Sequence, residues 1–204
     1  MAKVVTVRKS HAARRDEIAR TALELAGERG VAKVSTQAIA DRMGVSQATI
    51  FRHFVTRDEV FLEAICLIKR DVMQALDPIF SDKATPGAMR LERLVKAHLA
   101  FVQDNAGIPA LLFSDSLHQG APELKAAIRQ LMKAYAGRVA GLVIDGVADG
   151  SLKADADPAL LGQTVVTMVQ GVVLRWSLFD QNFDLQSQAD VVWALIRPAL
   201  APNS

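Results

Sequence analysis

The sequence predicts an all-α protein of about nine helices in a chain of 204 residues. Three observations lead to this fold class. Apolar residues recur at intervals of three and four, which is the period of a helix face, and no segment shows the interval of two that is typical of strands. Proline repeatedly occupies a position at which a helix begins, where its missing N–H is least costly. Glycine follows the first two helical patterns, where it supplies the backbone conformation that ends a helix.

The first helix is predicted over residues 14–29. Ile18, Ala22 and Leu25 recur on one face at helical spacing and mark its buried side. Gly30 follows directly and ends the helix.

Two shorter helices follow and are joined by a tight turn. Ser35 or Thr36 can cap the first of them, because a hydroxyl there accepts a hydrogen bond from a free backbone N–H. Gly44 ends this helix near residue 43, and Ser46 is expected to cap the next helix. Two short helices around a glycine-containing turn are typical of a helix–turn–helix unit.

The second helix of this unit has an unusual surface. Ile50 and Phe54 lie one turn apart and can anchor it to a core. The remaining surface is poor in charge and rich in groups that contact base edges, since glutamine pairs with adenine and threonine or alanine methyls contact thymine. An ordinary solvated surface is the alternative. The candidate residues facing bases or the adjoining backbone are Ser46, Gln47, Ala48, Thr49 and Arg52.

The residues from Val34 to Phe54 resemble the DNA-binding domain of the TetR/AcrR family of repressors. The next helix opens with Thr56 and Glu59 in the spacing of a capping box. The resemblance extends from about residue 18 to about residue 62, and this length makes it more specific than a generic helix–turn–helix.

The resemblance implies that Thr36, His53 and Arg57 position this domain on DNA phosphates. The chain departs from the family pattern at two positions. Phe51 stands where the family usually has tyrosine, so one expected phosphate hydrogen bond is lost at this DNA-facing position. Arg57 stands where the family usually has lysine, which keeps the charge but changes its geometry.

Charge is distributed unevenly along the chain. Through Arg57 there are eleven Lys and Arg against five Asp and Glu, and the remainder carries thirteen against seventeen. A basic N-terminal quarter on an acidic body is what a DNA-binding head requires, although a solvated charged face is the alternative. An N-terminal arm can contact DNA or serve only as a solubilising tail; its basic residues are Lys3, Arg8, Lys9, Arg14 and Arg15.

The remaining helices are predicted from proline positions and apolar periodicity. The fourth helix begins at Arg57 and ends near residue 77, because Pro78 breaks or kinks it. Further helices are expected near residues 86–105, 109–119, 122–148, 158–179 and 185–197. We therefore divide the chain into a DNA-binding domain at 1–56 and an effector-binding and dimerisation domain at 57–204.

The resemblance implies that the second domain binds a small effector. Its middle helices carry apolar side chains with a few polar groups among them, as a ligand cavity needs, and we expect an apolar or amphipathic effector. Plain core packing is the alternative for each residue. The candidates are His98, Phe101, Leu112, Phe113, Ser116, Tyr135, Met168 and Gln170. Asp115 and His118 can share a helix face, but no third ligand accompanies them, so we predict no metal and no cofactor.

The last two helices carry more apolar surface than one face can bury. A helix that is apolar all round is buried on all sides, and a partner chain is a natural source of the extra cover. We therefore predict a homodimer, with the two tryptophans as anchors. The predicted interface residues are Val172, Arg175, Trp176, Phe179, Trp193 and Ile196.

These features predict a ligand-responsive transcriptional repressor that binds a palindromic operator in double-stranded DNA as a dimer. An architectural or division-control protein of the same fold, without an effector, is the main alternative. An enzyme is disfavoured because no nucleophile, phosphate-binding or paired-carboxylate motif is present. No apolar run reaches the ~18 residues of a membrane span, and the single cysteine, expected to be buried, agrees with a reducing cytoplasm.

Overall fold

Nine α-helices and one short 3₁₀ turn build the part of the chain that the computed structural model describes, namely residues 10–115, 117, 121–155 and 157–202. No strand occurs within these ranges, in agreement with the predicted fold class. The helices are α1 (His11–Arg29), α2 (Thr36–Met43), α3 (Gln47–Phe51), α4 (Arg57–Ser81), α5 (Gly87–Gln103), α6 (Gly107–Leu112), α7 (Pro122–Ala148), α8 (Pro158–Leu178) and α9 (Gln188–Leu200).

The first three helices form the head around one apolar cluster. The Ser35 hydroxyl accepts a hydrogen bond from the Ala38 N–H over 3.1 Å and caps α2, as predicted. Gly44 ends α2 in the left-handed conformation with φ of 65°. Ser46 occupies the N-cap position of α3, as predicted, but its side chain makes no capping bond. Its hydroxyl lies 3.0 Å from the Thr49 hydroxyl instead.

The fourth helix connects the head to the body. Thr56 caps α4 by accepting from the Glu59 N–H over 3.2 Å, as the capping box predicts. The predicted end at residue 77 is wrong, because α4 continues through Pro78 to Ser81. The proline lies in the last turn, where few backbone hydrogen bonds remain to be lost.

A buried arginine donates hydrogen bonds to backbone carbonyl oxygens in the last turn of α4. Arg90 of α5 donates to the carbonyl oxygen of Ile79 over 2.9 Å and to that of Phe80 over 2.6 Å. Its third bond, over 2.7 Å, is to a carboxylate oxygen of Asp145 in α7. The three helices α4, α5 and α7 pack against one another around this side chain, which the sequence analysis did not identify.

Three other expectations differ from the structure. Helix α6 begins at Gly107, before Pro109, and its predicted extension toward residue 119 includes residues outside the described ranges. Helix α9 begins at Gln188 and runs through Pro198. Cys66, expected to be buried, is exposed. None of the helices in the described ranges is both long and apolar enough to span a membrane.

Candidate DNA interface and ligand cavity

A row of polar side chains follows one exposed face of α3. The Ser46 and Thr49 hydroxyls lie 3.0 Å apart, and the guanidinium of Arg52 donates to the Thr49 hydroxyl over 3.0 Å. These residues recur every third position, which places them on the same side of the helix. Ala48 and Phe51 are exposed beside them. The surface therefore presents hydroxyl, guanidinium and apolar groups together, as base-edge contacts require.

A hydrogen bond to α2 holds the side chain of Gln47 in place. Its amide donates to the Thr36 hydroxyl of α2 over 2.9 Å, and the side chain remains half-buried. Thr36 is itself buried, which corrects the expectation that its hydroxyl faces a phosphate. The hydroxyl instead orients Gln47, and this restricts the rotamers of the glutamine before any DNA arrives.

Two arginines of this region bond to groups of the protein itself and do not extend into solvent. Arg57 donates to the carbonyl oxygen of Val31 over 2.6 Å, so its predicted phosphate contact would have to compete with this bond. Arg15 lies 4.0 Å above the Phe54 ring and bonds to Glu63. Arg15 therefore ties α1 to α4 and does not form a free arm. Lys3, Arg8 and Lys9 lie outside the described residues.

His53 lies at the edge of this surface in a strongly basic setting. Burial lowers the pKa of the imidazole, and nearby cationic groups, His11 first among them, lower it further. The rings of His11 and His53 are 4.6 Å apart. Within the described part of the chain, the buried Nδ1 of His53 has no hydrogen-bond partner. A DNA phosphate beside this ring would reverse the electrostatic balance and favour its protonated form.

A small apolar cavity of about 60 Å³ lies inside the body. Side chains of α4, α5, α6, α7 and α8 line it. Six of the eight predicted effector residues border this space: His98, Phe101, Leu112, Phe113, Tyr135 and Gln170. Met168 is half-buried elsewhere in the core, and Ser116 lies outside the described residues, as does His118. Sequence reasoning did not single out Ile68 and Val72, through which α4 also borders the cavity.

The polar groups of this cavity bond mainly to one another. His98 Nδ1 and the Tyr135 hydroxyl are 2.6 Å apart, with the two rings nearly perpendicular. Burial holds the pKa of His98 at about 4 and raises the pKa of Tyr135, so both groups are uncharged at neutral pH. The Gln170 amide donates to the sulfur of Met132 over 2.7 Å.

A second, polar groove of about 480 Å³ lies beside the cavity, between α1 and α6. The backbones of these helices touch where Gly107 meets Leu23. A Cβ on Gly107 would lie 2.1 Å from the Leu23 carbonyl oxygen, so only glycine permits this approach. Helix α6 thus borders the cavity at one end and contacts the head at the other.

The surface formed by α8 and α9 is apolar but differs from the predicted interface. Trp176, Trp193 and Ile196 are buried inside the protomer, with exposures of 3%, 7% and 5%, and are not available as anchors. Val172 is half-buried, whereas Arg175 and Phe179 are exposed. The exposed apolar side chains on these helices are Leu160, Leu174, Leu178, Phe179, Val191 and Leu195.

Threonines on the same face of α8 add to its apolar character. The Thr164 hydroxyl donates to the Leu160 carbonyl oxygen over 2.8 Å, and Thr167 donates to that of Gln163 over 2.9 Å. Their hydroxyls are satisfied within the helix, and their methyl groups are left to face outward. With Leu160, Leu174 and Leu178, which recur at the same helical spacing, they line one side of α8. We call this side of α8, together with the exposed Val191 and Leu195 of α9, the α8–α9 face.

Two sequence profiles match this chain. The profile of bacterial regulatory proteins of the tetR family matches residues 18–64. A second profile, described as the C-terminal region of YsiA-like protein, matches residues 72–199. No group of three or more metal-ligating side chains occurs among the residues the structure covers.

The similarity to known proteins covers nearly the whole chain. The fatty acid metabolism regulator protein of Bacillus subtilis is 22% identical over 88% of this chain and 92% of its own length. The nucleoid occlusion factor SlmA of Aliivibrio fischeri is 25% identical over 90% and 93%. The fatty acid degradation regulator FadR of Bacillus halodurans has the same fold, with a TM-score of 0.79, 23% identity and coverage of 94% and 97%. Bacillus subtilis FadR, solved with stearoyl-CoA, gives a TM-score of 0.74 at 22% identity over 88% and 96%.

Proposed function

Because the chain belongs to the TetR family of bacterial regulatory proteins and is a DNA-binding transcriptional regulator, we propose that it acts as a repressor. In this proposal a dimer binds a palindromic operator and is released by a small apolar or amphipathic effector. The observation that carries the proposal is the hydrogen-bonded row of Ser46, Thr49 and Arg52, of which Ser46 and Arg52 are exposed and Thr49 is half-buried, beside the oriented Gln47.

The head supports sequence-specific binding through two kinds of contact. Exposed groups of α3 meet base edges in the major groove, while the basic residues around them meet phosphates. Gln47 is the principal base-reading residue, because its amide can donate to and accept from adenine simultaneously. Its bond to Thr36 reduces the conformational freedom that would be lost on binding.

The α8–α9 face supports dimerisation. Leu160, Leu178 and Leu195 are 59%, 71% and 66% exposed, and a contiguous apolar surface of this kind marks an interaction site. A two-fold dimer through this face would hold two heads on one side of the molecule. The paired α3 helices can then enter successive major grooves ~34–36 Å apart.

Effector binding is coupled to the head by two helices that border the cavity. Helix α4 contributes Ile68 and Val72 to the lining and begins in the head at Arg57. Helix α6 borders the same cavity and touches α1 through Gly107. A ligand that enlarges the cavity displaces both helices and changes the separation of the heads. Coupling of ~1–3 kcal/mol is enough for useful regulation.

A division-control protein is the second candidate function. The similarity to nucleoid occlusion factors favours it, since the matches span nine-tenths of this chain. Such a protein would bind DNA without being released by a metabolite. In either case it works on the chromosome, in the cytoplasm, and catalyses no reaction.

Selection of bound sequences from a random DNA pool tests the proposal. We expect a palindrome whose half-sites lie one helical turn apart. Titrating the resulting protein–operator complex with acyl-CoA thioesters and simple apolar esters then separates the two candidates. Release by one of these ligands supports the repressor. A selected site that no such ligand affects favours the division-control protein, and selection of no common sequence contradicts both.

A further inference from the structure

We propose that the cavity binds an uncharged carbonyl group carried on an apolar chain or ring, with His98 and Gln170 donating hydrogen bonds to its oxygen. The inference rests on the proposed function, because it names the chemical class of the effector. It also identifies which side chains distinguish that effector from other apolar molecules.

The lining of the cavity excludes a charged group. Each of its fourteen lining residues is uncharged at neutral pH, and most are aliphatic or aromatic. A carboxylate or phosphate buried there would lose its hydration without gaining an opposite charge. An apolar ligand with a neutral polar group would lose little hydration by comparison.

His98 supplies the first donor. The Tyr135 hydroxyl lies 2.6 Å from His98 Nδ1, and because a phenol O–H is a stronger donor than a neutral imidazole N–H, we assign the hydroxyl as the donor of this bond. A neutral imidazole that accepts at Nδ1 carries its proton on Nε2. Nε2 makes no hydrogen bond to any described residue, and His98 is a half-buried residue that lines the cavity. Its N–H is therefore available to a ligand.

Gln170 supplies the second donor. Its amide donates to the thioether sulfur of Met132, and thioethers are weak acceptors. A carbonyl oxygen is a stronger acceptor and would displace the sulfur. Because a carbonyl oxygen has two lone pairs, it can accept from His98 and Gln170 together.

The neighbouring groove disfavours anions at the side of the cavity that it borders. The two spaces share the lining residues Ile68, Phe101 and Ile108. The charged residues of the groove are Arg20, Glu24, Glu28, Asp71 and Asp104. Its single guanidinium bonds to Asp71 over 2.8 Å, and Glu28 pairs with Arg42, so Glu24 and Asp104 leave the groove with a negative local potential. We therefore expect a simple ester or ketone to bind more tightly than a CoA thioester.

Calorimetric titration of the DNA-free full-length protein at pH 8 tests the inference. The probes are methyl octanoate, octanoyl-CoA and octanoate, which is ionised at this pH. We expect methyl octanoate to bind about tenfold or more tightly than octanoate, a difference of about 1.4 kcal/mol. Tighter binding of octanoyl-CoA than of the ester would assign the carbonyl to a thioester. The opposite order is the expected one and would assign it to a simple ester or ketone, whereas tighter binding of the CoA thioester would contradict the effect attributed to the groove.

Variants of the two donors test their roles. Gln170→Leu and His98→Phe should each weaken methyl octanoate binding by about 3- to 10-fold, the effect of one lost hydrogen bond. Met168→Leu is the matched control, because Met168 lies on the same helix as Gln170 but does not line the cavity, and this volume-conserving change should leave ester binding unchanged. Tyr135→Phe keeps the ring and should also weaken binding, since it no longer fixes the proton on Nε2. Thermal unfolding of each variant verifies that it remains folded.

Three outcomes would overturn the carbonyl site: no binding of methyl octanoate, equal binding of octanoate, or unchanged ester affinity in both donor variants. Operator affinity is measured separately on the same protein. Ester binding that leaves operator affinity unchanged contradicts the proposed release but not the carbonyl site. Release of the operator by a different ligand, without ester binding, contradicts the carbonyl site but not the repressor.

Discussion

The guanidinium of Arg90 meets the carboxylate of Asp145 over 2.7 Å, although the arginine is only 1% exposed. The same guanidinium caps the carbonyl oxygens of Ile79 and Phe80 at the end of α4. One buried side chain thus closes the helix that carries the head and fixes it to α5 and α7. Burial of a charge is tolerated here because every one of its bonds is to an oxygen acceptor.

Replacing this arginine should be strongly destabilising. Arg90→Leu leaves two buried carbonyl oxygens without donors, and we expect a loss of about 3–5 kcal/mol in the free energy of unfolding. Urea denaturation measures it. The matched control is Arg93→Leu on the same helix, which removes an exposed pair with Asp82 and should cost about 1 kcal/mol or less. Equal effects of the two variants would show that Arg90 does not fix α4 to α5 and α7.

Gln47 is predicted to read bases. Gln47→Ala should cost ~1–3 kcal/mol on the selected operator and little on random DNA. Gln130→Ala, an exposed glutamine in α7, should change neither affinity. Fluorescence anisotropy with both DNAs measures the difference. Equal losses on operator and random DNA would mean that Gln47 contacts the backbone.

Thr36 provides an internal check on that prediction. Thr36→Val preserves shape but removes the hydroxyl that accepts from the Gln47 amide. The expected result is a smaller loss of operator affinity than in Gln47→Ala, because the glutamine remains but is no longer oriented.

The α8–α9 face should hold the dimer. Leu178→Glu or Leu195→Glu places a charge on this face and should convert the protein to monomers at micromolar concentration, as seen by equilibrium sedimentation. Ile144→Glu is the matched control, because Ile144 is an apolar residue of similar exposure, 56%, but lies on α7. Wild-type protein that sediments as a monomer would contradict the dimer itself.

The helix order could be predicted from sequence because periodicity, caps and glycine stops are local signals. The same signals placed the end of α4 incorrectly. Pro78 indicates a helix end, but its cost depends on whether the freed carbonyls find donors, and Arg90 supplies them from another helix. No local pattern identifies such a partner, which is why this arginine escaped the sequence analysis.

Among the site residues, too, local sequence patterns predict some features, whereas others depend on which helices pack together. The polar face of α3 follows from helix geometry alone. That His98, Tyr135 and Gln170 could line a pocket was an implication of the family resemblance, and the packing of three helices brings them to one cavity. The tryptophan anchors were wrong because an apolar helix does not reveal which of its faces meets its own chain. Trp176 points inward and donates from its indole nitrogen to the Phe183 carbonyl oxygen over 2.9 Å.

Gly107 should be intolerant of any side chain. Gly107→Ala forces α6 away from α1, because its Cβ would overlap the Leu23 carbonyl group, and we expect a destabilisation of about 1–3 kcal/mol or more. Gly137→Ala is the control, since a Cβ there meets no atom within 4 Å of the described structure. In a helix interior this control should be neutral or stabilising by about 0.5–1 kcal/mol. Thermal unfolding distinguishes the two, and a neutral Gly107→Ala would show that the helices separate freely.

His98 should make the stability of the protein sensitive to mild acid. Burial lowers its pKa from 6.5 to about 4, so between these values the unfolded chain binds a proton that the folded chain does not. Stability is therefore fully present above pH 6.5 and falls as the pH decreases toward 4. Urea denaturation from pH 4.5 to 7.5, at one protein concentration, measures this slope.

His98→Phe removes the titrating group and should flatten the slope relative to wild type. His53→Phe leaves His98 in place and should retain the His98 contribution. Parallel curves for wild type and His98→Phe would mean that His98 has the same pKa in the folded and unfolded chains, which would contradict the burial of its ring in the folded protein.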